Sequence, residues 1–360
     1  MSKLKHALNI GLVLVSLLCA LVTAEFALRG MLFSDVPLFA GLRDASLFSH
    51  RVPDRDGDFY GEDYWKLRWI FEHKNNIQEP QPLLGWWGFF DPRTLVYHQR
   101  EQVEGRRPVL LYGDSFAQCV ESEECFEDIL NSHPGFAQDH FLLNYGVGGF
   151  GLDQIALLFH ETVDRFEDPF VIFSLLTTDL DRSLLAFRDA QKPYFVLEGD
   201  RLSLQGTPIT RSTADYLARN PPEIRSYLFN LLRNSLGGVF PEADRAAAIK
   251  AQSKTLNTRI LKGVLQRLNR EEIEHVILVF HPQHHRADDW RLVFLREACE
   301  RHGAECLFDE DIRVADVQRR GGEHNPFRYA LPNDGHPTSY ANQLVARELA
   351  AVIEAADHRR

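Results

Sequence analysis

From Arg107 onward, short apolar runs alternate with amphipathic stretches of helical length. The apolar runs predict strands at 109–112, 141–145, 170–176, 276–280 and 305–308. The amphipathic stretches predict helices at 126–131, 152–166, 255–268, 288–302 and 339–356. Continuous apolar strands that alternate with helices are typical of a parallel sheet covered by crossover helices. The sequence therefore predicts an α/β fold with a mostly parallel five-stranded sheet.

Residues 181–254 interrupt this alternation between the third and fourth predicted strands. Apolar residues at 194–197 and 202–204 flank Gly199-Asp200 and predict a hairpin, while Pro221-Pro222 and Gly237-Gly238 mark loops around a helix. We interpret this segment as an inserted hairpin and helical subdomain. An insertion at this place either shapes a substrate site as a lid or is a structural embellishment.

The N-terminus carries an uncharged run of eighteen residues, 7–24, preceded by Lys3 and Lys5. Such a run is long enough for a membrane span and also matches a long signal-peptide core, with Val22-Thr23-Ala24 as a cleavage site. We expect an uncleaved anchor, because residues 26–28 extend the apolar run. The lysines predict a cytoplasmic N-terminus, so the rest of the chain is expected in the periplasm, or secreted if the segment is cleaved.

These patterns predict three parts of the chain. Residues 1–30 form the anchor or signal segment, residues 31–105 form an aromatic-rich segment that wraps the main domain, and residues 106–360 form this main α/β domain with insertion 181–254. The formal net charge of −11 argues against a nucleic-acid partner, because phosphate binding needs clustered basic side chains.

Four cysteines outside the anchor lie in two close pairs, Cys119 with Cys125 and Cys299 with Cys306. An even number in an oxidising compartment permits two short disulfides, and three pairings are formally possible. Buried free thiols are an equally ordinary state for these residues. The sequence leaves both alternatives open.

A serine follows the first predicted strand at Gly113-Asp114-Ser115. Open α/β sheets bind their ligands at the C-terminal ends of their strands, where the N-terminus of the following helix also favours a developing negative charge. Taken alone, the turn is equally compatible with a serine that caps a helix. Ser115 is a candidate nucleophile.

A histidine with a carboxylate two residues before it stands at Asp334-Gly335-His336, just before the last predicted helix. The carboxylate can hold the imidazole in the tautomer whose Nε2 accepts a serine proton. His336 is therefore the candidate base and Asp334 its orienting group.

Two further strand ends carry candidate oxyanion donors. The second strand ends in a run with four glycines between Gly146 and Gly151, and the third is followed by Thr177-Thr178-Asp179. The N–H groups of Ser115 and Gly149 and the hydroxyl of Thr178 are the predicted donors.

Together these four blocks resemble the SGNH (GDSL-type) hydrolase family from Val109 to about Ala356. The resemblance implies a three-layer sandwich, a nucleophile at Ser115 and an oxyanion donor at Gly149. Two departures stand out: Thr178 replaces the family's asparagine donor, and the usual aspartate position, three residues before His336, is Asn333. The Asp334 spacing is close to that of alginate-type O-acetyltransferases.

The family's serine chemistry needs no cofactor or metal, and none is predicted. His281, His284 and His285 cluster after the fourth strand, but their spacing matches no zinc motif, so a polar loop is expected.

The sequence leaves three functions open. The first is an esterase for acyl, chiefly acetyl, esters of a small molecule or an envelope or exported glycan. The second is an O-acyltransferase with the same acyl-enzyme, and the third a non-catalytic glycan-binding or assembly scaffold.

Overall fold

A computed structural model describes residues 2–54, 57–72, 79–236, 243–322, 325–332 and 334–359. Gly237, Gly238 and Asn333 lie outside these residues. The strands are β1 (Arg51–Asp54), β2 (Gly57–Tyr60), β3 (Arg107–Gly113), β4 (His140–Gly146), β5 (Phe170–Leu176), β6 (Tyr194–Glu198), β7 (Arg201–Gln205), β8 (His275–Phe280) and β9 (Cys306–Phe308).

The α-helices are α1 (Ser2–Leu32), α2 (Ala45–Phe48), α3 (Glu62–Glu72), α4 (Ser115–Gln118), α5 (Phe126–Ser132), α6 (Pro134–Asp139), α7 (Leu152–Thr162), α8 (Asp179–Arg182), α9 (Thr213–Arg219), α10 (Tyr227–Ser235), α11 (Ala243–Arg270), α12 (Trp290–His302), α13 (Asp309–Arg319) and α14 (Ser339–Asp357). Short 3-10 turns occur at Pro37–Leu42, Arg100–Val103, Val163–Arg165 and Pro326–Arg328.

The central sheet has five parallel strands in the order β4-β3-β5-β8-β9, which confirms the predicted fold class. Gly113 pairs with Gly146, and Leu176 pairs with Phe280, so neighbouring strands end at the same level. All four blocks identified in the sequence begin at this edge or pack against it.

Helices cover both faces of the sheet, which makes the three layers. Along β3, Leu110 and Tyr112 belong to the core beneath α7, α11 and α12, whereas Val109 and Leu111 belong to the core beneath α5 and α14. Both faces of the strand are therefore buried, and this explains its uninterrupted apolar sequence.

The predicted hairpin is present as β6 and β7, and Leu197 pairs with Leu202 across it. The short helices α2, α4, α6, α8 and α9 and the helix α3 were not predicted, and α7 ends at Thr162 and not at 166. Two longer helices also differ from the prediction. The helix α11 begins at Ala243 and not at 255, since the alanines at 246–248 continue it. The helix α13 was not predicted, because only three of its residues are large and apolar; Asp309, Glu310 and Asp311 in its first turn complement the helix dipole.

Residues of the segment before β3 enter the main core. Leu84 and Phe90 are fully buried there, and α3 and α2 form a smaller core with Tyr227 of α10. The division of the chain at residues 30 and 105 and the limits of the insertion remain predictions.

Within α1, the stretch Leu8–Leu32 is long and apolar enough to cross a membrane, by length and composition only. Its side chains are largely exposed. The structure joins Cys119 to Cys125 and Cys299 to Cys306, and Cys19 in α1 is a free thiol.

Candidate active site

Ser115 is the first residue of α4, directly after β3. Asp114 caps this helix, because its Oδ1 accepts the N–H of Phe116 at 2.9 Å. The N–H of Ser115 has no hydrogen-bond partner among the described residues. A first-turn N–H of this kind is available to an incoming oxygen.

His336 lies against Ser115. Its Nε2 is 2.9 Å from Ser115 Oγ, and its Nδ1 hydrogen-bonds Asp334 Oδ1. A carboxylate at Nδ1 keeps the imidazole proton there, so Nε2 can accept the proton of the serine hydroxyl. The structure thus brings together the three residues that the sequence singled out as nucleophile, base and orienting group.

The turn that carries His336 needs glycine between the two polar residues. Gly335 has φ of +80°, which folds Asp334 back towards the imidazole. Leu331 donates its N–H to the carbonyl of His336 at 2.8 Å, and Gly335 donates to the carbonyl of Leu331 at 3.0 Å. The ring of Phe116 packs on the imidazole with 4.9 Å between centroids.

The loop closed by the Cys119–Cys125 disulfide joins the serine and histidine ends of the site. Ser339, the first residue of α14, donates its hydroxyl to Glu123 Oε2 at 2.7 Å. Asn342 donates Nδ2 to the carbonyl of Glu124 at 2.9 Å. The loop therefore contacts the start of the helix that follows His336.

A buried ion-pair network holds three strand ends together. Arg182 Nη1 lies 2.9 Å from Asp114 Oδ2 and 2.6 Å from Asp179 Oδ1, and it donates to the carbonyl of Phe150 at 3.0 Å. Both carboxylates are fully buried. Burial, reinforced by the neighbouring Asp114, raises the pKa of Asp179 well above its usual range.

The glycine run after β4 presents one N–H group without a partner. Gly148 donates its N–H to Gln118 Oε1 at 2.6 Å, whereas the N–H of Gly149 has no partner among the described residues. Trp86 Nε1 donates to the carbonyl of Gly148 at 2.9 Å and fixes this loop. Gly149 is therefore the better placed of the two to bind an oxyanion.

Arg188, from the insertion, lies beside Gly149. Its Nη1 occupies the space that a Cβ at Gly149 would need, and it pairs with Asp189. Its guanidinium also stacks on the ring of Trp65 at 4.5 Å. Burial, together with Arg182, lowers the pKa of Arg188 to about 10.

Thr178 precedes α8 at the same edge of the sheet. Its carbonyl accepts the N–H of Asp181 at 3.1 Å, and its hydroxyl has no hydrogen-bond partner among the described residues. Its role as an oxyanion donor remains a prediction. The hydroxyl of the preceding Thr177 contacts His281 Nδ1 at 3.2 Å.

Three side chains after β8 approach one another. One ring nitrogen each of His281 and His285 and one carboxylate oxygen of Asp289 lie within 4.8 Å of one another. His281 already contacts Thr177 and, at 3.0 Å, the carbonyl of Arg286. Asp289 caps α12. These contacts position His281 and Asp289 within the polar loop.

A groove of about 410 Å³ opens beside the histidine turn. It is lined by His284, Phe327, Leu331, Pro332 and Asp334. A larger groove of about 1080 Å³ lies at the opposite edge of the sheet, near the starts of β3 and β5. Only the smaller groove reaches a residue of the Ser115, His336 and Asp334 group.

No protein-family model matches the sequence, and no curated protein matches it either. Among solved structures, the chain is similar to the acetyl xylan esterase AlAXEase, with 15% identity and a TM-score of 0.37 over 68% of this chain and 99% of that one. It is also similar to Axe2, an acetylxylan esterase from Geobacillus stearothermophilus, with 11% identity and a TM-score of 0.37 over 69% of this chain and 95% of that one.

A third similar structure is the psychrotrophic esterase EstA from Pseudoalteromonas sp., with 11% identity and a TM-score of 0.36 over 70% of this chain and 99% of that one. Likeness at this level carries no conclusion about activity. The function proposed next depends on the geometry of the site.

Proposed function

We propose that this protein is a serine esterase of the SGNH type that cleaves acyl, chiefly acetyl, esters. One observation carries the proposal: Ser115 Oγ lies 2.9 Å from His336 Nε2, while Asp334 contacts the other ring nitrogen. A serine becomes a nucleophile when a positioned base takes its proton and a third group orients that base. A non-catalytic scaffold has no need of this arrangement.

In the first half of the reaction, Ser115 Oγ attacks the ester carbonyl and its proton passes to His336 Nε2. The carbonyl oxygen becomes an oxyanion, which the N–H groups of Ser115 and Gly149 stabilise. The C–O bond to the alcohol then breaks, and His336 returns its proton to the leaving alcohol. The products are an acylated Ser115 and a free hydroxyl group.

In the second half, an acceptor hydroxyl attacks the acyl-serine. His336 takes the proton of the acceptor and then gives it to Ser115 Oγ as the acyl group leaves. Water as acceptor gives a carboxylic acid, and a sugar hydroxyl gives acyl transfer by the same steps. Asp334 stabilises the imidazolium that forms in each half.

Thr178 is proposed as a third oxyanion donor. Its hydroxyl has no competing partner among the described residues, and it follows β5, which is next to β3, the strand that precedes Ser115. Removal of one oxyanion donor costs about 3 kcal/mol of transition-state stabilisation in well-studied cases.

We propose that the enzyme is a single-pass inner-membrane protein with its catalytic domain in the periplasm. The apolar stretch in α1 and the lysines that precede it support this orientation. An acylated envelope or exported glycan is then the proposed substrate, and the groove beside Asp334 is open enough to receive part of it. No cofactor enters the proposed chemistry.

The proposal is tested with the full chain in detergent and acetylated glycan fragments as substrate. Acetate release and acetyl transfer to added, unacetylated fragments are measured side by side. Ser115→Ala is expected to lose both activities, whereas Ser122→Ala, an exposed serine in the nearby disulfide loop, is expected to retain them. Equal activity of Ser115→Ala and the wild type would refute the proposal.

A further inference from the structure

The end of α1 packs against α10 of the insertion. Glu25 accepts the N–H of Leu228 at 2.8 Å and that of Tyr227 at 3.0 Å, so it caps the start of α10. Arg29 stacks on the ring of Tyr227 at 4.9 Å. These contacts fix α10 at the level of Glu25 along α1.

Glu25 marks the end of the uncharged run in α1. Residues 7–24 cover roughly 27 Å as a helix, close to the thickness of a bilayer's hydrocarbon core. The first charged residue after such a run lies at the boundary between acyl chains and headgroups. The start of α10 is therefore at that boundary if α1 spans the membrane.

The polarity of α10 is inverted relative to a helix on a water-facing surface. Both of its asparagines face the protein: Asn230 donates to the carbonyl of Phe48 at 2.7 Å, and Asn234 donates to the carbonyl of Ser49 at 2.9 Å. Tyr227, on the same side, is buried.

The outward side of α10 and its C-cap are apolar. Phe229, Leu232 and Leu236 follow the spacing of one helix face and are 58%, 49% and 55% exposed. The 3-10 turn that follows α1 adds Leu38, which is 83% exposed. Both α10 and this turn pack against α1, and large exposed apolar side chains grouped in this way are unusual on a soluble surface.

We propose that α10 and the turn Pro37–Leu42 lie in the interface of the membrane that α1 spans, with Phe229, Leu232 and Leu236 inserted between lipids. The inference rests on the membrane anchorage proposed above. Amphipathic helices that lie in the plane of a membrane bury their apolar face near the acyl-chain boundary. The surface is continuous with α1 through the Glu25 and Arg29 contacts, and this continuity favours a lipid surface over a separate protein partner.

The experiment places an environment-sensitive fluorophore on single cysteines of the full chain, with Cys19 replaced by serine. The protein is reconstituted into phosphatidylcholine and phosphatidylglycerol vesicles that carry nitroxide-labelled lipids. Leu232→Cys is the test position. Val314→Cys, 50% exposed on α13, is the matched control, and Val15→Cys reports on α1 itself.

The label at 232 is expected to emit at shorter wavelength than the label at 314 and to be quenched several-fold more by the lipid nitroxides. A water-soluble quencher is added in a parallel measurement. If it reaches the label at 232 and the lipid nitroxides do not, the inference is overturned. If neither quencher reaches the label, the inference is also overturned, because the label is then covered by a protein partner. If the label at 15 is also outside the lipid, the proposed membrane anchorage by α1 is wrong as well. If the label at 15 lies in the lipid, only the proposed membrane contact of α10 is wrong.

Discussion

Arg182 and Asp114 form a buried ion pair, with 2.9 Å between Nη1 and Oδ2. Asp114 is the residue directly before Ser115. The same guanidinium contacts Asp179 after β5, so one side chain fixes the strand ends that carry Ser115 and Thr178. A buried charge that loses its partner is strongly destabilising, which gives the first prediction.

Replacement of Arg182 by methionine should lower the free energy of unfolding by about 3–5 kcal/mol, because the buried Asp114 loses its positively charged partner and Asp179 loses a hydrogen-bond donor. Urea unfolding of the full chain in detergent measures the change. Arg259→Met, whose partner Asp200 is largely exposed, should have little effect. Equal stability of the two variants would contradict the structural role of Arg182.

Replacement of Gly149 by alanine should lower kcat by roughly 100-fold or more, because the oxyanion donor is displaced. Gly149 has φ of +83°, and an added Cβ would lie 2.6 Å from Asp189 Oδ2 and closer still to Arg188. Gly199→Ala is the matched control, since φ is +64° there and no atom lies within 4 Å of the added Cβ. Similar kinetics for both variants would remove Gly149 from the oxyanion site.

Replacement of Asp334 by asparagine should lower kcat by about 10²–10⁴-fold with little change in KM, since the imidazole then loses the carboxylate that orients it. Asn333→Ala tests the alternative spacing and should leave kcat nearly unchanged. Steady-state kinetics of the two variants decide which residue orients His336. A larger loss for Asn333→Ala would reverse the assignment.

The two disulfides should differ in their effect on activity. Each closes a short loop, so removal of either is expected to lower stability by about 2 kcal/mol. The Cys119–Cys125 loop hydrogen-bonds the start of the helix that follows His336, through Glu123 and Glu124, whereas the described contact of Glu305 in the other loop is with Arg359, just beyond the far end of that helix. The double variant Cys119→Ser/Cys125→Ser should therefore have a lower kcat than the wild type, whereas Cys299→Ser/Cys306→Ser should keep the wild-type kcat. Steady-state kinetics of both variants are measured at a temperature below that at which either unfolds.

Glu127 should make the wild type less stable as the pH rises. Burial raises its pKa from 4.5 to about 7, so the folded protein holds a proton there that the unfolded chain releases between these values. The stability that this proton provides is complete below pH 4.5 and is lost as the pH rises through 7.

Glu127→Gln keeps an oxygen that can accept from Asn144, 2.7 Å away, and removes the titration. The variant should be about 1–3 kcal/mol more stable than the wild type at pH 8 and similar to it at pH 4.5. Urea unfolding at both pH values measures the difference, with the exposed Glu121→Gln as control. A constant difference between the two pH values would contradict the raised pKa.

The sheet and the three central site residues could be predicted because their signals are local. A strand buried on both faces is almost entirely apolar, as β3 is after Arg107 and β5 is apart from Ser174. Ser115 and His336 are 221 residues apart, yet each stands at a recognisable strand end or helix start. The topology then brings them together.

Other parts of the site have no local signal. Arg182 and Arg188 lie in a stretch without periodicity, and the partner of Arg182, Asp114, is 68 residues away. The outward apolar face of α10 was also missed, because in the sequence it is indistinguishable from a face that packs into a core. Only the contacts of Asn230 and Asn234 reveal which side faces the protein.

The most direct test of the catalytic assignment is covalent labelling with a fluorophosphonate. The full chain in detergent is incubated with the reagent, digested and examined by mass spectrometry. A phosphonyl adduct on Ser115 that forms in the wild type, and at least about 100-fold more slowly in His336→Ala, is the predicted result. No adduct on Ser115, or an adduct that forms equally fast without His336, would contradict a serine nucleophile activated by His336.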